Sequence, residues 1–186
     1  MPETEFENTV TEPRKLHIGG KIPHPEWEIF NALENPAVDH VGDAKDLSRF
    51  EDGIFESVYA SHVLEHFDYN GELAEVLKEW TRVLMPKGKL YISVPDMEVL
   101  CRLYLDHERF DAALRFGIMR MMFGGHLDKY DYHYVGFNLE LLRDWLMLVG
   151  FTEIWKMESF GLFDDTSELL LGGERISLNL LAIKDP

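Results

Sequence analysis

The chain has 186 residues and a formal net charge of −16, and 46% of its residues are hydrophobic and 12% aromatic. This composition predicts a globular protein with a core of its own and excludes an intrinsically disordered chain. The acidic balance argues against a nucleic acid or an anionic membrane as partner, because both bind basic patches. We therefore expect a small-molecule partner; the oligomeric state stays open.

The first thirteen residues are acidic and polar and have no hydrophobic periodicity. They predict a flexible N-terminal arm, followed by a single domain over residues 14–186. The arm lacks the apolar stretch of a signal or transit peptide, and no later run approaches the length that spans a bilayer. Cys101 is the single cysteine, so no internal disulfide can form and a reducing compartment is favoured. We expect a cytoplasmic protein.

The first third of the domain contains four short apolar runs and no helical pattern. Each run is followed by glycine or a polar residue, which is typical of short strands; the runs are residues 14–18, 27–30, 37–41 and 55–60. The loop from Gly19 to Trp27 is too short to contain the crossover helix that usually joins two neighbouring parallel strands. The sequence therefore predicts that this helix is lacking.

From residue 70 the hydrophobic period changes to that of a helix. Asn70 is the predicted N-cap of the first helix, and Asn138 is that of the last, which ends before Gly150. The predicted elements of this part are a helix over 70–84, a strand over 90–94, one or two helices over 97–123, a helix over 138–149 and strands over 152–157 and 177–183. A polar and aromatic loop spans residues 124–136.

This order of elements predicts an α/β fold, a three-layer Rossmann-like sandwich with a mostly parallel sheet. The last strand follows its neighbour by a non-helical connection, and we expect it to be antiparallel. In such sheets ligands bind beyond the carboxyl ends of the strands. The polar segment that follows the fourth strand, Ser61 to Phe67, is therefore a candidate functional segment.

Residues 62–66 read His-Val-Leu-Glu-His, which matches the H-x-x-E-H signature of inverted zinc proteases. That chemistry needs both histidines on one face of a helix as zinc ligands, with the glutamate as the base. Here the motif begins at a strand end, and Phe67 to Gly71 interrupt any helix soon after it. A zinc hydrolase is therefore an alternative, and a site without metal is the expectation.

Two longer segments resemble the class I S-adenosylmethionine-dependent methyltransferases. They are Ala60-Ser-His-Val-Leu-Glu-His66 and Leu77-Lys-Glu-Trp-Thr-Arg-Val-Leu-Met-Pro-Lys-Gly-Lys-Leu90. The helix that ends in Arg-Val-Leu-x-Pro-x-Gly-x-Leu before a strand is among the more specific features of that superfamily. The resemblance covers roughly residues 14–184 and is greatest to small, largely uncharacterised methyltransferase-like proteins. It implies S-adenosylmethionine as the cofactor.

The resemblance also implies a set of cofactor-binding residues. Glycines can approach a cofactor closely because they have no Cβ. Lys21 stands where the superfamily has its second glycine, His17 where it usually has Asp or Glu, and Asn31 where it has an acidic residue that binds the ribose. Asp43 matches the residue that contacts the adenine amine. The predicted cofactor-binding residues are Gly19, Gly20, Lys21, Asn31, Asp43, Ala44, Ser61 and His62.

The acceptor side is predicted from the loop over residues 124–136 and from two neighbouring strand ends. Histidine and tyrosine side chains are dense there, and functional residues concentrate in such loops. The predicted substrate-binding residues are His66, Asp96, His126, Tyr130 and His133. A hydroxyl or protonated amine acceptor needs a general base, and the candidates are His62, His126 and His133.

The leading hypothesis is a methyltransferase that acts on a small-molecule or sugar-like acceptor by in-line displacement. The alternative is a methyltransferase-fold protein with a degraded cofactor loop that acts as a binding or interaction module. The substitutions at His17, Lys21 and Asn31 favour that alternative. The sequence identifies neither the acceptor nor the general base.

Overall fold

The computed structural model describes residues 13–186, so the predicted N-terminal arm lies outside the described residues except for Pro13. The strands are β1 (Arg14–Ile18), β2 (Glu28–Asn31), β3 (His40–Val41), β4 (Phe55–Ser61), β5 (Leu84–Pro95), β6 (Phe151–Met157), β7 (Leu170–Leu171), β8 (Glu174–Arg175) and β9 (Ser177–Lys184). The α-helices are α1 (Glu72–Val83), α2 (Met97–Leu105), α3 (Ala112–Phe123) and α4 (Leu139–Leu148). Residues Leu64–His66 and Thr166–Glu168 form single 3₁₀ turns.

Seven strands form one sheet in the order β3-β2-β1-β4-β5-β9-β6, and β7 and β8 form a separate two-stranded ribbon. The strands from β3 to β5 are parallel, whereas β9 is antiparallel to both β5 and β6. The predicted α/β fold with a mostly parallel sheet and an antiparallel last strand is confirmed. The loop over residues 19–27 contains no helix, as predicted.

Helices α1 and α4 cover one face of the sheet. Their apolar side chains, such as Trp80 and Leu142, pack with the sheet residues Val58 and Leu90 in one large core. Burial of each such side chain stabilises the fold by about 1.5–3 kcal/mol. This core holds β1, β4 and β5 together, and their carboxyl ends form one edge of the sheet.

Aromatic side chains cover the opposite face of β2, β4 and β5. Tyr59 and Trp27 pack there against Phe160 and Phe163 from the segment after β6. Tyr59 lies between Val58 and Ala60 in the strand, so its side chain points away from the helices. Loop residues therefore bury this face where no crossover helix is present between β1 and β2.

Several element boundaries differ from the sequence prediction. The third strand is only His40–Val41, because the side chain and carbonyl of Asn35 bind the amides of Ala37 and Val38 in a turn. Helix α1 begins after Gly71 and not after Asn70. Strand β5 begins six residues earlier than the prediction of residue 90, at Leu84. Among the described residues no helix is long and apolar enough to cross a membrane.

Candidate functional site

A cleft of about 1120 Å³ lies at the carboxyl ends of β1, β2, β3 and β4. Strands β1 and β4 are neighbours in the sheet. After β1 the chain continues toward one edge of the sheet, to β2, and after β4 it continues toward the other edge, to β5. Open α/β sheets bind ligands at such a reversal of strand order. Ten of the predicted site residues line the cleft: Gly19, Gly20, Lys21, Asn31, Asp43, Ala44, Ser61, His62, His66 and Tyr130. Asp96, His126 and His133 are not among the residues that line it.

The loop after β1 brings bare backbone to the cleft. Gly19 has a φ of +82°, and a Cβ on it would lie 2.5 Å from Cγ2 of Val63. Its amide donates a hydrogen bond to the carbonyl of Phe30 at 2.8 Å, which ties the loop to β2. A side chain at Gly19 would therefore be strained and would push against the segment after β4. The close approach of these two segments requires glycine.

Asn31 serves the fold of this loop with both ends of its amide. Its Nδ2 donates to the carbonyl of Gly20 at 2.8 Å, and its Oδ1 accepts from the amide of Leu33 at 2.9 Å. The side chain is buried, with 8% of the residue exposed. Asn31 thus holds the glycine loop in place, whereas the sequence prediction assigned it to the ribose of the cofactor.

His17, in β1, packs directly against Gly20 of the same loop. Its ring lies 4.1 Å from the ring of Phe163 and 4.8 Å from that of Tyr59, measured between centroids. Burial lowers the pKa of His17 to about 4, against a raising effect of Asp165 and a further lowering effect of His24. The imidazole is therefore neutral at pH 7 and packs as an aromatic ring.

The loop after β3 presents Asp43 and Ala44 to the cleft. Oδ1 of Asp43 accepts from the amide of Lys45 at 3.1 Å, and its Oδ2 lies 3.9 Å from Nζ of Lys45. The carbonyl of Ala44 accepts a hydrogen bond from Nε1 of Trp80 at 2.9 Å. Because Trp80 is fully buried in α1, this bond ties the predicted adenine loop to the core.

The segment after β6 supplies cleft residues that the sequence prediction missed. Leu162 to Thr166 line the cleft, and Asp165 accepts hydrogen bonds from the hydroxyls of Tyr59 and Ser61, at 2.9 and 3.2 Å. Burial raises the pKa of Tyr59, so its hydroxyl stays protonated as a donor. Asp165 is about one hundred residues away from Tyr59 and Ser61 in the sequence, and no local motif indicates its position.

His62 directly follows β4 and has a φ of +53°, which is uncommon for a residue with a Cβ. Its Nε2 lies 2.8 Å from Oγ of Ser177, at the start of β9. Its Nδ1 lies 3.4 Å from Oε1 of Glu65. The next residues, Leu64–His66, form one 3₁₀ turn, so the helix on which the zinc-protease motif depends is not formed.

The loop over residues 124–136 is an ordered structure that docks on this 3₁₀ turn. The amide of Tyr134 donates to the carbonyl of Glu65 at 2.8 Å, and Nδ1 of His66 donates to the carbonyl of Tyr132 at 3.0 Å. Within the loop, the carboxylate of Asp131 accepts from the amides of Gly125 and Leu127. These bonds place Tyr130 and Asp131 at the wall of the cleft.

The three predicted residues outside the cleft lining have structural contacts. His126 stacks on Tyr132 at 4.1 Å and donates from Nε2 to the carbonyl of Phe123 at 2.9 Å. Asp96 caps α2 by accepting hydrogen bonds from the amides of Glu98 and Val99. His133 packs behind the cleft against His66, with ring centroids 4.8 Å apart.

The charge of the cleft suits a cation. Seven of its lining residues are carboxylates and three are lysines. The carboxylates are Asp43, Asp68, Glu72, Asp128, Asp131, Asp164 and Asp165. A cleft lined mostly by one sign of charge raises the local concentration of ligands of the other sign. A ligand with a positively charged centre is therefore favoured here.

The sequence matches the family described as "Methyltransferase domain" over residues 27–92, which is the part that contributes β2 to β5 to the sheet. None of the curated proteins matches it. Among solved structures, a SAM-dependent methyltransferase from Archaeoglobus fulgidus is similar, with a TM-score of 0.59 and 18% identity over 92% of this chain and 86% of that one.

Two further solved structures share this fold. A SAM-dependent methyltransferase from Thermotoga maritima has a TM-score of 0.56 and 19% identity, over 95% of this chain and 84% of that one. The CurJ carbon methyltransferase has a TM-score of 0.58 and 18% identity over 94% of this chain. The present chain spans about half, 49%, of the length of the CurJ structure.

Proposed function

We propose that this chain is a class I S-adenosylmethionine-dependent methyltransferase that transfers a methyl group to a small-molecule or sugar-like acceptor. S-adenosylmethionine is the cofactor. One observation carries the proposal. Glycine backbone, an acidic lining and a loop rich in histidine and tyrosine meet in one cleft at the carboxyl edge of the sheet. Its volume of about 1120 Å³ exceeds the roughly 300–1,000 Å³ of common ligand pockets, which leaves room for cofactor and acceptor together.

The residues of the cleft fit the cofactor. At Gly19 a Cβ would contact Val63, so glycine keeps this loop packed against the segment after β4 at the mouth of the cleft. Asp43 is 43% exposed at its side chain and is free to accept from the adenine amine. The excess of carboxylates suits the sulfonium and the amino group, which are both positive. Asn31 does not take part in this set, because its amide is engaged by the loop.

Methyl transfer from a sulfonium needs the acceptor atom in line with the methyl group and the sulfur. The chain's own contribution is to hold both partners in that line and to exclude water. A general base is needed only for a hydroxyl or a protonated amine. Of the three predicted bases only His62 lines the cleft, whereas His126 and His133 do not. The two ring nitrogens of His62 face Ser177 and Glu65, so a role as the base requires one of these contacts to open.

Calorimetric titration with S-adenosylhomocysteine tests cofactor binding directly. We expect saturable binding by the wild type and a loss of at least about tenfold in affinity for Gly19→Ala, because an alanine there adopts a left-handed conformation and contacts Val63. Gly117→Ala is the matched control. Gly117 lies in α3 with no atom within 4 Å of a built Cβ, so its affinity should be unchanged. Equal affinity of wild type and Gly19→Ala would contradict the assignment of the loop.

A binding or interaction module that has lost the cofactor is the second candidate function. The engagement of Asn31 favours it, since the side chain expected at the ribose already has two backbone partners. Under this alternative neither S-adenosylmethionine nor S-adenosylhomocysteine produces heat or a thermal shift at millimolar concentration. That result would overturn the enzymatic proposal.

A further inference from the structure

Behind the cleft, a fully buried carboxylate is surrounded by three histidines. The side chain of Glu65 is 0% exposed, and neither of its oxygens has a hydrogen-bond partner among the described residues. His62, His66 and His133 lie around it. Buried carboxylates are normally hydrogen-bonded, paired or bound to a metal ion, because an isolated charge in a protein interior is strongly unfavourable.

The hydrogen bonds of His62 determine which ring nitrogen carries the proton. Ser177 donates its only hydroxyl hydrogen to the carbonyl of Thr166, at 2.9 Å. Nε2 of His62 must then donate to Oγ of Ser177, at 2.8 Å. In the neutral ring the bare lone pair of Nδ1 faces Oε1 of Glu65 at 3.4 Å. Two acceptors that face each other require a proton or a metal ion between them.

His66 has the same arrangement with the nitrogens exchanged. Its Nδ1 donates to a backbone carbonyl, that of Tyr132, so the neutral ring keeps a lone pair on Nε2. A histidine that binds a metal almost always donates its other ring N–H to a carbonyl or carboxylate in this way. Both histidines are therefore oriented by outer partners and present a free nitrogen.

His133 completes the cluster from the loop over residues 124–136. Its Nε2 lies 3.9 Å from Oε1 of Glu65, and the ring is mostly buried. Ligand atoms of Glu65, His66 and His133 all lie within 4.8 Å of one another. Two ligands at about 2.1 Å from a tetrahedral ion lie roughly 3.4 Å apart, so side-chain movements that bring the most distant pair up to about 1.4 Å closer place all three at bonding distance.

We infer that Glu65, His66 and His133 bind one divalent transition-metal ion, with a coordination position left open. The ligands come from the segment after β4 and from the loop that docks on it, and a metal ion would join these two parts. This site differs from the inverted zinc-protease motif, because the ligands do not share a helix and Glu65 is itself a ligand. It also differs from the expectation of a site without metal.

The ligand set indicates the kind of ion. Two imidazole nitrogens and one carboxylate oxygen suit Zn²⁺ or Co²⁺, whereas Mg²⁺ prefers oxygen ligands and retains its water. Since His66 lines the cleft, an ion bound to its ring lies on the acceptor side. An oxygen group of the acceptor would then be within reach of the metal, which favours a hydroxyl or carboxylate acceptor. This last point alone rests on the proposed function.

Metal binding can be measured without cofactor or acceptor. The tag-free full-length chain is treated with chelator, freed of it by gel filtration, and titrated by calorimetry with Zn²⁺ and with Mg²⁺. We expect about one Zn²⁺ per chain, at least 100-fold tighter than Mg²⁺. Co²⁺ should produce visible absorption bands of a nitrogen- and oxygen-bound ion. Failure here leaves the cofactor titration unaffected, and failure of cofactor binding leaves this result unaffected.

Three variants locate the ion. Glu65→Gln keeps the shape and removes the charge, and His66→Gln removes a partly exposed ligand at lower risk to folding. Both should lose at least 100-fold in Zn²⁺ affinity together with the Co²⁺ bands. His107→Gln is the control, because His107 is an exposed histidine outside the cluster, bonded to the carbonyl of Leu105, and it should bind as the wild type does. Absence of stoichiometric binding, or unchanged binding by both Glu65→Gln and His66→Gln, would overturn the inference and leave His62 and Glu65 as a buried ion pair.

Discussion

The two halves of the cleft are built differently. At β4 and β5 a helix, α1, crosses between parallel strands, and the buried side chains of that helix hold the strand ends in place. At β1, β2 and β3 loops replace the helices, and side-chain hydrogen bonds to backbone do the holding, as at Asn31. The difference shows that this edge of the sheet can be held in place without a crossover helix between β1 and β2. Polar residues near the loop after β1, such as Asn31, then stabilise the fold through hydrogen bonds to backbone.

The largest expected effect concerns the residue that connects the two halves. Trp80→Ala should lower the free energy of unfolding by about 3–5 kcal/mol, because it empties a fully buried site in α1. It also removes the hydrogen bond to the carbonyl of Ala44. Urea denaturation followed by circular dichroism measures the loss. If the two halves were independent, the affinity for S-adenosylhomocysteine of the remaining folded protein would be unchanged.

Trp155→Ala is the matched control for that variant. Trp155 lies on the edge strand β6 and is 45% exposed, so its truncation removes less buried surface. A loss equal to that of Trp80→Ala would contradict the assignment of Trp80 to the connection between the halves.

The second effect is the pH dependence that His17 introduces into the first half. Its pKa is lowered from 6.5 to about 4 by burial, so below pH 6.5 the unfolded chain takes up a proton that the folded chain does not. Stability is therefore lost as the pH falls from about 6.5 to 4, by about 3 kcal/mol in total. Above pH 6.5 His17 contributes no pH dependence.

His17→Phe tests this contribution, since phenylalanine suits the aromatic surroundings and does not titrate. The difference in unfolding free energy between wild type and variant should shift in favour of the variant between pH 6.5 and 4. A constant difference across this range, measured by denaturant titration at each pH, would show that His17 is not buried as a neutral ring.

The smallest expected effect concerns Asn31, which stands where the superfamily usually has an acidic residue that binds the ribose of the cofactor. Asn31→Asp introduces the acidic residue that the superfamily usually has there, and a conventional edge would bind cofactor more tightly. In this chain the change removes the donor to the carbonyl of Gly20 and places a carboxylate beside it. We expect a loss of about 1–3 kcal/mol in stability and weaker binding of S-adenosylhomocysteine. Tighter binding in calorimetry would contradict this view of the loop.

The sequence predicted the part of the chain from β4 onward well, because hydrophobic periodicity and capping residues indicate the same elements there. The strand from Phe55, the helix before Leu84 and the cap at Asn138 are all present close to their predicted positions. In the part from β1 to β3 the apolar runs located β1 and β2. The third strand is shorter than the predicted run, because Asn35 holds the first residues of that run in a turn. Turn-forming side chains outweighed β-propensity at that point.

The candidate site was predictable wherever a residue directly follows a strand. Gly19 follows β1, Asp43 lies two residues after β3 and Ser61 ends β4, and all three line the cleft. Asp165 was missed because its partners, the hydroxyls of Tyr59 and Ser61, lie on a strand about one hundred residues earlier. The role of Asn31 was also hidden, since a pattern of residues does not reveal which carbonyl an amide will meet.

The sequence by itself determined the order of the strands of the main sheet and of the helices, the antiparallel last strand and the edge of the sheet at which the cleft lies. Hydrophobic periodicity and glycine placement are local properties, and they suffice for these features. Only the tertiary structure decided which polar groups have partners. Residues 62–66 illustrate this, because the His-Val-Leu-Glu-His match became a candidate site only when His133 and the empty hydrogen-bonding positions of Glu65 were seen beside it.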